Sequence, residues 1–299
     1  MSGIKYSDGG FVNITTESTE KDYAIEEIVT AYMNVLYKYC DQAGIEILRT
    51  LELKLPYISQ VNDPLECSPF LYCPNDKDAI EARYLSALKR RDRLPPADYK
   101  QKLDIDVICE KLEEILREVL EDYKSKGCLL SVSETAQNTV MWAHYTDKHK
   151  GVVIGIDFNN IFPDTNKERG ILMNAVSYSK QRPQINILSE LVPEIFGKTL
   201  LIKSIDWDYE KEFRSIFFVD SLEVMQRQGL ATLKDFNGEK TWFLRLNPAS
   251  IIKVVFGLYT DDSLKSDIRK LIEHQDLKHI KLYQSEESET YTLNLKECN

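Results

Sequence analysis

The chain lacks long apolar runs: nothing in its 299 residues approaches the roughly 20 consecutive apolar positions that a membrane-spanning helix needs. Its opening, MSGIKYSDGG, has no apolar core of a secretion signal, so the expected location is the cytoplasm, with no membrane partner. Cysteine pairs are missing too. Cys40, Cys67, Cys73, Cys109, Cys128 and Cys298 are scattered without a CxxC, a pattern that predicts reduced thiols, several of them buried. No Cys/His cluster has zinc-ligand spacing, and His144 and His149 stand five apart rather than three or four, so no metal site is expected. Positive charge is short: 38 Lys and Arg face 48 Asp and Glu, a formal charge of −10. That balance argues against a broad electrostatic grip on nucleic acid and leaves room for a local groove or a pocketed substrate. No internal repeat is present.

What remains is a soluble globular composition, 43% hydrophobic and 29% charged. Residues 1–20 are polar and read as a flexible N-terminal arm. Residues 21–299 read as one α+β domain, a mixed and mainly antiparallel sheet core with a helical insertion at about 74–126. Helical spacing is predicted over Tyr23–Asn34, Gly44–Thr50, Ala79–Lys89, Ile185–Lys203 and Ser263–His274. In the insertion, Ile105, Ile108, Leu112, Ile115, Leu116, Val119 and Leu120 define the apolar face of a long helix. Strands are predicted over Val35–Cys40, Leu51–Ser59, Asn174–Ser179, Phe213–Val219, Trp242–Leu246, Ile251–Gly257 and Lys278–Gln284. The basic cluster Lys89-Arg90-Arg91-Arg93 reads as a solvated helix end.

The most informative stretch is Gly127–Phe158, read as strand, loop, helix and strand. Asn138 is a suitable N-cap and Gly151 a suitable left-handed C′ residue, predicting a helix over Thr139–Lys150. That helix carries Trp142, His144, Tyr145, His149 and Lys150, with Trp142, Tyr145 and His149 spaced to share one face. A second constellation opens the strand at 213: in YEKEFR, alternation puts Glu210 and Glu212 on one face. Two neighbouring carboxylates are costly unless they bind a cation or share a proton. They suit chemistry at a sugar anomeric carbon, one holding a ribose hydroxyl against an oxocarbenium-like transition state and the other orienting the nucleophile. A third signal is Asn62-Asp63-Pro64, a strong turn.

The segments KYC…NDPLE, LLSVSE…MWAHYTDKHKG and W-D-YEKEFR resemble the bacterial family known only as domain of unknown function 2971. Its members carry "KY…NDPFE", "FS…MWxHYxxxHKG" and "YExE(F/W)R" in this order. Leu65 replaces a common Phe, and Ser131-Val132-Ser133 replaces Phe-Ser. The order of parts is also similar to ADP-ribosyltransferases. That resemblance implies NAD as substrate, with Tyr37, Lys38 and Tyr39 in the first element, although VLYKYC lacks the usual His or Arg. It puts Ser131, Ser133 and Tyr145 in the second element and Glu212 or Glu210 in the third. On this reading Glu212, Glu210, Tyr145 and His144 are catalytic, and Tyr37, Lys38, Tyr39, Ser131, Ser133, Trp142, Arg214, Asn62 and Asp63 contact the nucleotide. The expected activity is NAD-consuming transfer in a toxin or antiphage-defence effector. Its partners would be a small nucleotide, a protein or nucleic-acid target, and a regulatory protein. Replacing Glu212 by Gln should then remove activity and leave the fold intact. Two alternatives stay open: a metal-independent nuclease using His144, His149, Lys150 and Arg214, and a non-catalytic binding module. In the module, Arg214 pairs with Asp63 or Glu66 as part of a structural polar network.

Overall fold

The computed structural model describes residues 5–6, 12–13, 35–74, 76–89, 92–102, 104–162, 171–188, 199–274 and 276–298. The expected helix Tyr23–Asn34 and most of the expected arm lie outside these residues. Eight strands build the main sheet: β1 Leu36–Cys40, β2 Gly127–Ser133, β3 Val152–Ile156, β4 Asn174–Ala175, β5 Glu212–Phe218, β6 Ile251–Phe256, β7 Lys281–Glu286 and β8 Asn294–Glu297. Their spatial order is β8-β7-β6-β3-β1-β2-β5-β4. Every neighbouring pair is antiparallel except β6 and β7, so the sheet is mixed and mainly antiparallel, and the fold is α+β as the pattern predicts.

Alternation sorts the side chains onto two faces. One face carries Leu36, Leu130, Val132, Ile154, Phe217 and Val254, which pack into the principal core. Helices α1 (Ile45–Thr50) and α6 (Asp262–His274) add Leu48, Ile268 and Ile272 to it. A separate three-stranded sheet, Glu52–Leu55 with Ala231–Phe236 and Glu239–Arg245, adds Leu53, Leu55, Trp242 and Leu244. The other face holds two smaller clusters. One gathers Tyr39, Met141, Trp142, Val153, Val255 and Leu293; the other gathers Leu71, Leu120, Leu129, Ile185 and Leu200. Between them β2 and β5 present Ser131, Ser133, Glu212 and Arg214, paired in register. This polar strip positions the site.

The insertion folds as α2 (Lys77–Lys89) and α3 (Ile105–Lys126). Asp104 caps α3 by accepting from the Val107 N–H at 3.2 Å. Leu112, Leu116 and Leu120 turn inward, while Ile115, expected on the apolar face, is 55% exposed. Cys73 and Cys109 form a disulfide across 5.8 Å between Cα atoms, correcting the expectation that all six cysteines are free. The two lie 36 residues apart in the chain, so no local motif announces the pairing. No described helix is long and apolar enough to cross a membrane.

Three predicted elements need correction. The stretch read as helix over Ile185–Lys203 contributes strands at Gln184–Asn186 and Ile202–Ser204, which pair in parallel with Phe70–Tyr72 and Ser177–Ser179. Residues 189–198 lie outside the described residues. The helix predicted to Lys150, α4, spans Thr139–Tyr145 only. Asp147, Lys148 and His149 then take three successive left-handed conformations (φ 48°, 56° and 67°). Thr146 ends the helix by donating its hydroxyl to the Trp142 carbonyl at 2.6 Å. The strand expected to run to Val219 stops at Phe218, and helix α5 (Val219–Arg227) begins there.

Gly151 serves a different purpose from a left-handed cap. A Cβ there would lie 2.1 Å from the Cys40 carbonyl oxygen. Gly151→Ala is expected to cost about 1–3 kcal/mol through overpacking against backbone, read as a lower urea midpoint. An unchanged midpoint would show that the two strands separate freely at this point.

Candidate functional site

The site grows from the turn ahead of β5. Ser204 caps a 3₁₀ segment over Ile205–Glu210, and Lys211 then adopts a left-handed conformation (φ 43°, ψ 54°) before β5 begins. The strand alternation expected for Glu210 and Glu212 therefore does not hold. The two carboxylates converge all the same, because the turn at Lys211 swings Glu210 back beside Glu212. Both meet Lys203, whose ammonium lies 2.6 Å from Glu210 Oε2, 3.2 Å from Glu212 Oε2 and 3.4 Å from Glu66 Oε2.

Arg214 anchors the group. Its Nε donates to Glu212 Oε1 at 2.6 Å and its Nη2 to Glu212 Oε2 at 2.8 Å; Nη2 also donates to Glu66, and Nη1 donates to the Leu200 carbonyl at 2.9 Å. All five charged side chains are buried, with Arg214 only 1% exposed. Three carboxylates against two cations leave a formal excess of one negative charge (−3 + 2 = −1).

The two expected catalytic glutamates therefore differ. Burial alone would push the Glu212 carboxyl up, but Arg214 and then Lys203 hold it down at about 2. Glu210 moves the other way: burial raises it above the usual carboxylate range despite Lys203. Tyr145 donates to Glu210 Oε1 at 2.5 Å, and burial together with that bond raises its phenol well above the ordinary range. Glu210 is itself buried, 4% exposed, and only its tyrosine partner reaches the rim. Tyr145, Trp207 and Tyr209 are half-buried, while His144 and Asn62 are exposed.

The rim is fixed by bonds between segments distant in sequence. Asn138 caps α4 by accepting from Val140 and Met141 at 2.9 and 3.0 Å, and donates to the Tyr209 carbonyl at 3.0 Å. Ser133 donates to the Glu210 carbonyl at 2.7 Å. Trp207 donates to Asp63 Oδ2 at 3.0 Å, and its ring lies 4.9 Å from the Lys203 ammonium. Tyr209 bonds His144 Nδ1 at 3.2 Å. Tyr178 accepts the Glu212 N–H at 2.8 Å, and burial pushes its phenol up to about 12.

Of the expected site residues, Glu210, Glu212, Tyr145, His144, Arg214, Ser131, Ser133, Asn62 and Asp63 gather here. Tyr37 pairs in register with Ser133 beside them, and the remaining three do not gather here. Trp142 has no exposed surface; its indole donates to the Ala136 carbonyl at 2.7 Å, and its ring stacks on His149 at 6.0 Å and meets Tyr39 edge-on at 5.6 Å. Tyr39 is buried and donates to the Thr135 carbonyl at 2.9 Å. Lys38 donates to the Ser131 carbonyl at 2.9 Å where β1 and β2 keep a single registered pair, and burial lowers its pKa. These three serve the fold. The shared face expected for Trp142, Tyr145 and His149 is corrected likewise: the helix ends before His149, which packs on Trp142 and Tyr259.

Sequence reasoning missed Lys203 and Tyr178. Lys203 sat in a stretch read as helical, and its signal is the strand pairing of Ile202–Ser204 with Ser177–Ser179. Among the described residues, no group of three His, Cys, Asp or Glu is placed to hold a metal ion.

Glu212 accepts two of the hydrogen bonds of a buried guanidinium, and it is one of the two carboxylates that meet Arg214. Glu212→Gln is expected to destabilise the fold by about 3–5 kcal/mol, contrary to the expectation of an intact fold. Because its folded pKa is depressed, the Glu212 contribution is complete above the ordinary glutamate range and fades as pH falls toward about 2. Chemical denaturation from pH 7 to pH 3 should show wild type losing stability that Glu212→Gln never had. Parallel curves would contradict the assignment.

The family model described as "Protein of unknown function (DUF2971)" matches residues 141–215, which run from α4 through the ionic cluster to Ser215. No curated protein and no solved structure matches the chain. The chain thus resembles the DUF2971 family over the segment that carries Tyr145, Lys203, Glu210, Glu212 and Arg214.

Proposed function

We propose that the protein is an NAD-using glycosyl-transfer enzyme of ADP-ribosyltransferase type, acting in the cytoplasm as a bacterial toxin or antiphage-defence effector. The observation that carries the chemistry is the Tyr145–Glu210 pair on a buried ionic cluster with one surplus negative charge. Cleavage of a nicotinamide–ribose bond builds positive charge on the ribose, and a fixed negative environment stabilises that charge. Phosphodiester cleavage builds negative charge and needs free cations. Lys203 and Arg214 are already taken by carboxylates, and His144 and His149 have separate partners, so the nuclease reading is the weaker one.

In this reading Glu210, ionised, accepts a ribose hydroxyl, and Tyr145 orients its carboxylate. Glu212, Arg214 and Glu66 are positioning residues that hold Glu210 and Lys203 in place. Trp207, Tyr209 and His144 supply half-exposed rings on which a base or nicotinamide stacks.

A non-catalytic binding module is the second reading. It is favoured by Arg214, whose partners are satisfied from within the chain, including the Glu66 contact that this alternative expects.

One pair of variants separates the two. Glu210→Gln removes the surplus charge and keeps an acceptor for Tyr145, so its stability should stay within about 1 kcal/mol of wild type or rise, while NAD turnover is lost. If Glu210→Gln melts as early as Glu212→Gln, or turns NAD over normally, the enzyme reading fails. The pH profile adds a second check. Activity requires ionised Glu210, so it should fall as pH drops through a pKa lying above the free-glutamate range. A limb at or below that range would contradict the role. Tyr145→Phe should shift this limb and reduce turnover by about 10–100-fold.

A further inference from the structure

Strand register sets five residues in one row across the sheet. Lys253 pairs with Gly155, Gly155 with Tyr37, Tyr37 with Ser133, and Ser133 with Glu212. Directly opposed residues share a face, so this row lies on the face that bears the ionic cluster. Gly155 contributes no side chain, and Lys253 occupies the space above it. A Cβ at Gly155 would lie 2.6 Å from Lys253 Cγ and 3.3 Å from the Tyr37 ring. Crossing Gly155 in this way brings the ammonium to Tyr37, donating to its hydroxyl at 3.2 Å. The same ammonium lies 5.4 Å from the Tyr37 ring centre and 5.6 Å from that of Tyr283.

Lys253 differs from the cations of the cluster. Among the described residues no carboxylate pairs with it, whereas Lys203 and Arg214 are each held by two or more. The side chain is half-buried rather than extended into solvent, and two rings hold its head in place. A fixed ammonium with no carboxylate partner attracts an anion, and phosphate is the one that lysine most often serves as a point charge.

We propose that Lys253, held between Tyr37 and Tyr283, binds the phosphates of a nucleotide whose reacting sugar reaches Glu210. The proposal rests on the glycosyl-transfer reading and deepens it, because it names the diphosphate contact that the cluster itself cannot supply. Two strand spacings, about 10 Å, separate Tyr37 from Glu212, a distance that a nucleotide spans. Tyr37 was expected at the nucleotide from sequence. Here it acts as the rest for the Lys253 ammonium and as a hydroxyl facing the same phosphate.

The test is equilibrium binding of ADP and of adenosine to the full-length protein by titration calorimetry. Wild type should bind ADP more tightly than adenosine. Lys253→Gln should weaken ADP about tenfold or more and leave adenosine unchanged, and Lys253→Arg should retain most of the ADP affinity. Equal ADP affinity in wild type and Lys253→Gln, or no ADP binding to wild type, overturns the site. Should Lys253→Gln not fold, a salt titration of wild type decides: ADP affinity must fall with ionic strength more steeply than adenosine affinity, and equal slopes overturn the site. The two readings fail separately. Lys253-dependent ADP binding in a protein that never turns over NAD removes the glycosyl-transfer reading and leaves this site. Glu210-dependent turnover with ADP binding indifferent to Lys253 does the reverse.

Discussion

A guanidinium with 1% of its surface exposed can persist only if its charge is met inside the protein. Arg214 meets that condition through Glu212 on its own strand, Glu66 from the turn after Val61, and the Leu200 carbonyl. Desolvation makes each of these contacts compulsory, since losing one leaves a polar group with neither water nor partner. The turn, the segment leading to Ile202–Ser204 and strand β5 are therefore drawn to one point. A face that alternation would otherwise have filled with one apolar layer becomes two apolar clusters with ions between them.

Glu210 is what this arrangement leaves over. Arg214 and Lys203 together match two carboxylates, and the third keeps a raised affinity for protons because burial penalises its charge. Buried ion networks also serve as devices that select one fold, and the Arg214–Glu66–Glu212 part of this one does that regardless of activity. A purely structural network, however, gains nothing from an unbalanced acid bonded to a half-exposed tyrosine. On the proposed reading it is the imbalance, more than the network, that serves the chemistry.

Much of this was legible from the sequence because some signals are local. Asn138 announces its own cap, and the MWAHY and YEKEFR stretches each carry an unusual polar load on apolar flanks. Their convergence is carried by single bonds, Tyr145 to Glu210 and Asn138 to the Tyr209 carbonyl. What could not be read depends on register or on conformations that any residue type hides. Lys211 is left-handed without being Gly or Asn, and the three left-handed residues after Thr146 include none either, so the shortened α4 had no marker. Lys203 lies on the short strand Ile202–Ser204, at the end of a stretch whose apolar spacing reads as a helix. Lys253 and Gly155 stand almost a hundred positions apart, and only the β3–β6 pairing puts one across the other.

The bonds that hold the 205–210 turn show why Glu210 would be effective where it stands. Ser133 and Asn138 bind its backbone from the β2–α4 side, and Asp63 binds Trp207 from the turn side. Each clamp joins a side chain of one segment to the backbone or ring of another, so the turn cannot rotate without breaking contacts to two parts of the fold. An acid on such a support pays little reorganisation energy when charge develops beside it, because its partners are already in place. The same rigidity accounts for a turn so poor in glycine: its shape is imposed from outside by Ser133, Asn138 and Asp63, and Lys211 accepts a left-handed backbone because those neighbours leave it no alternative.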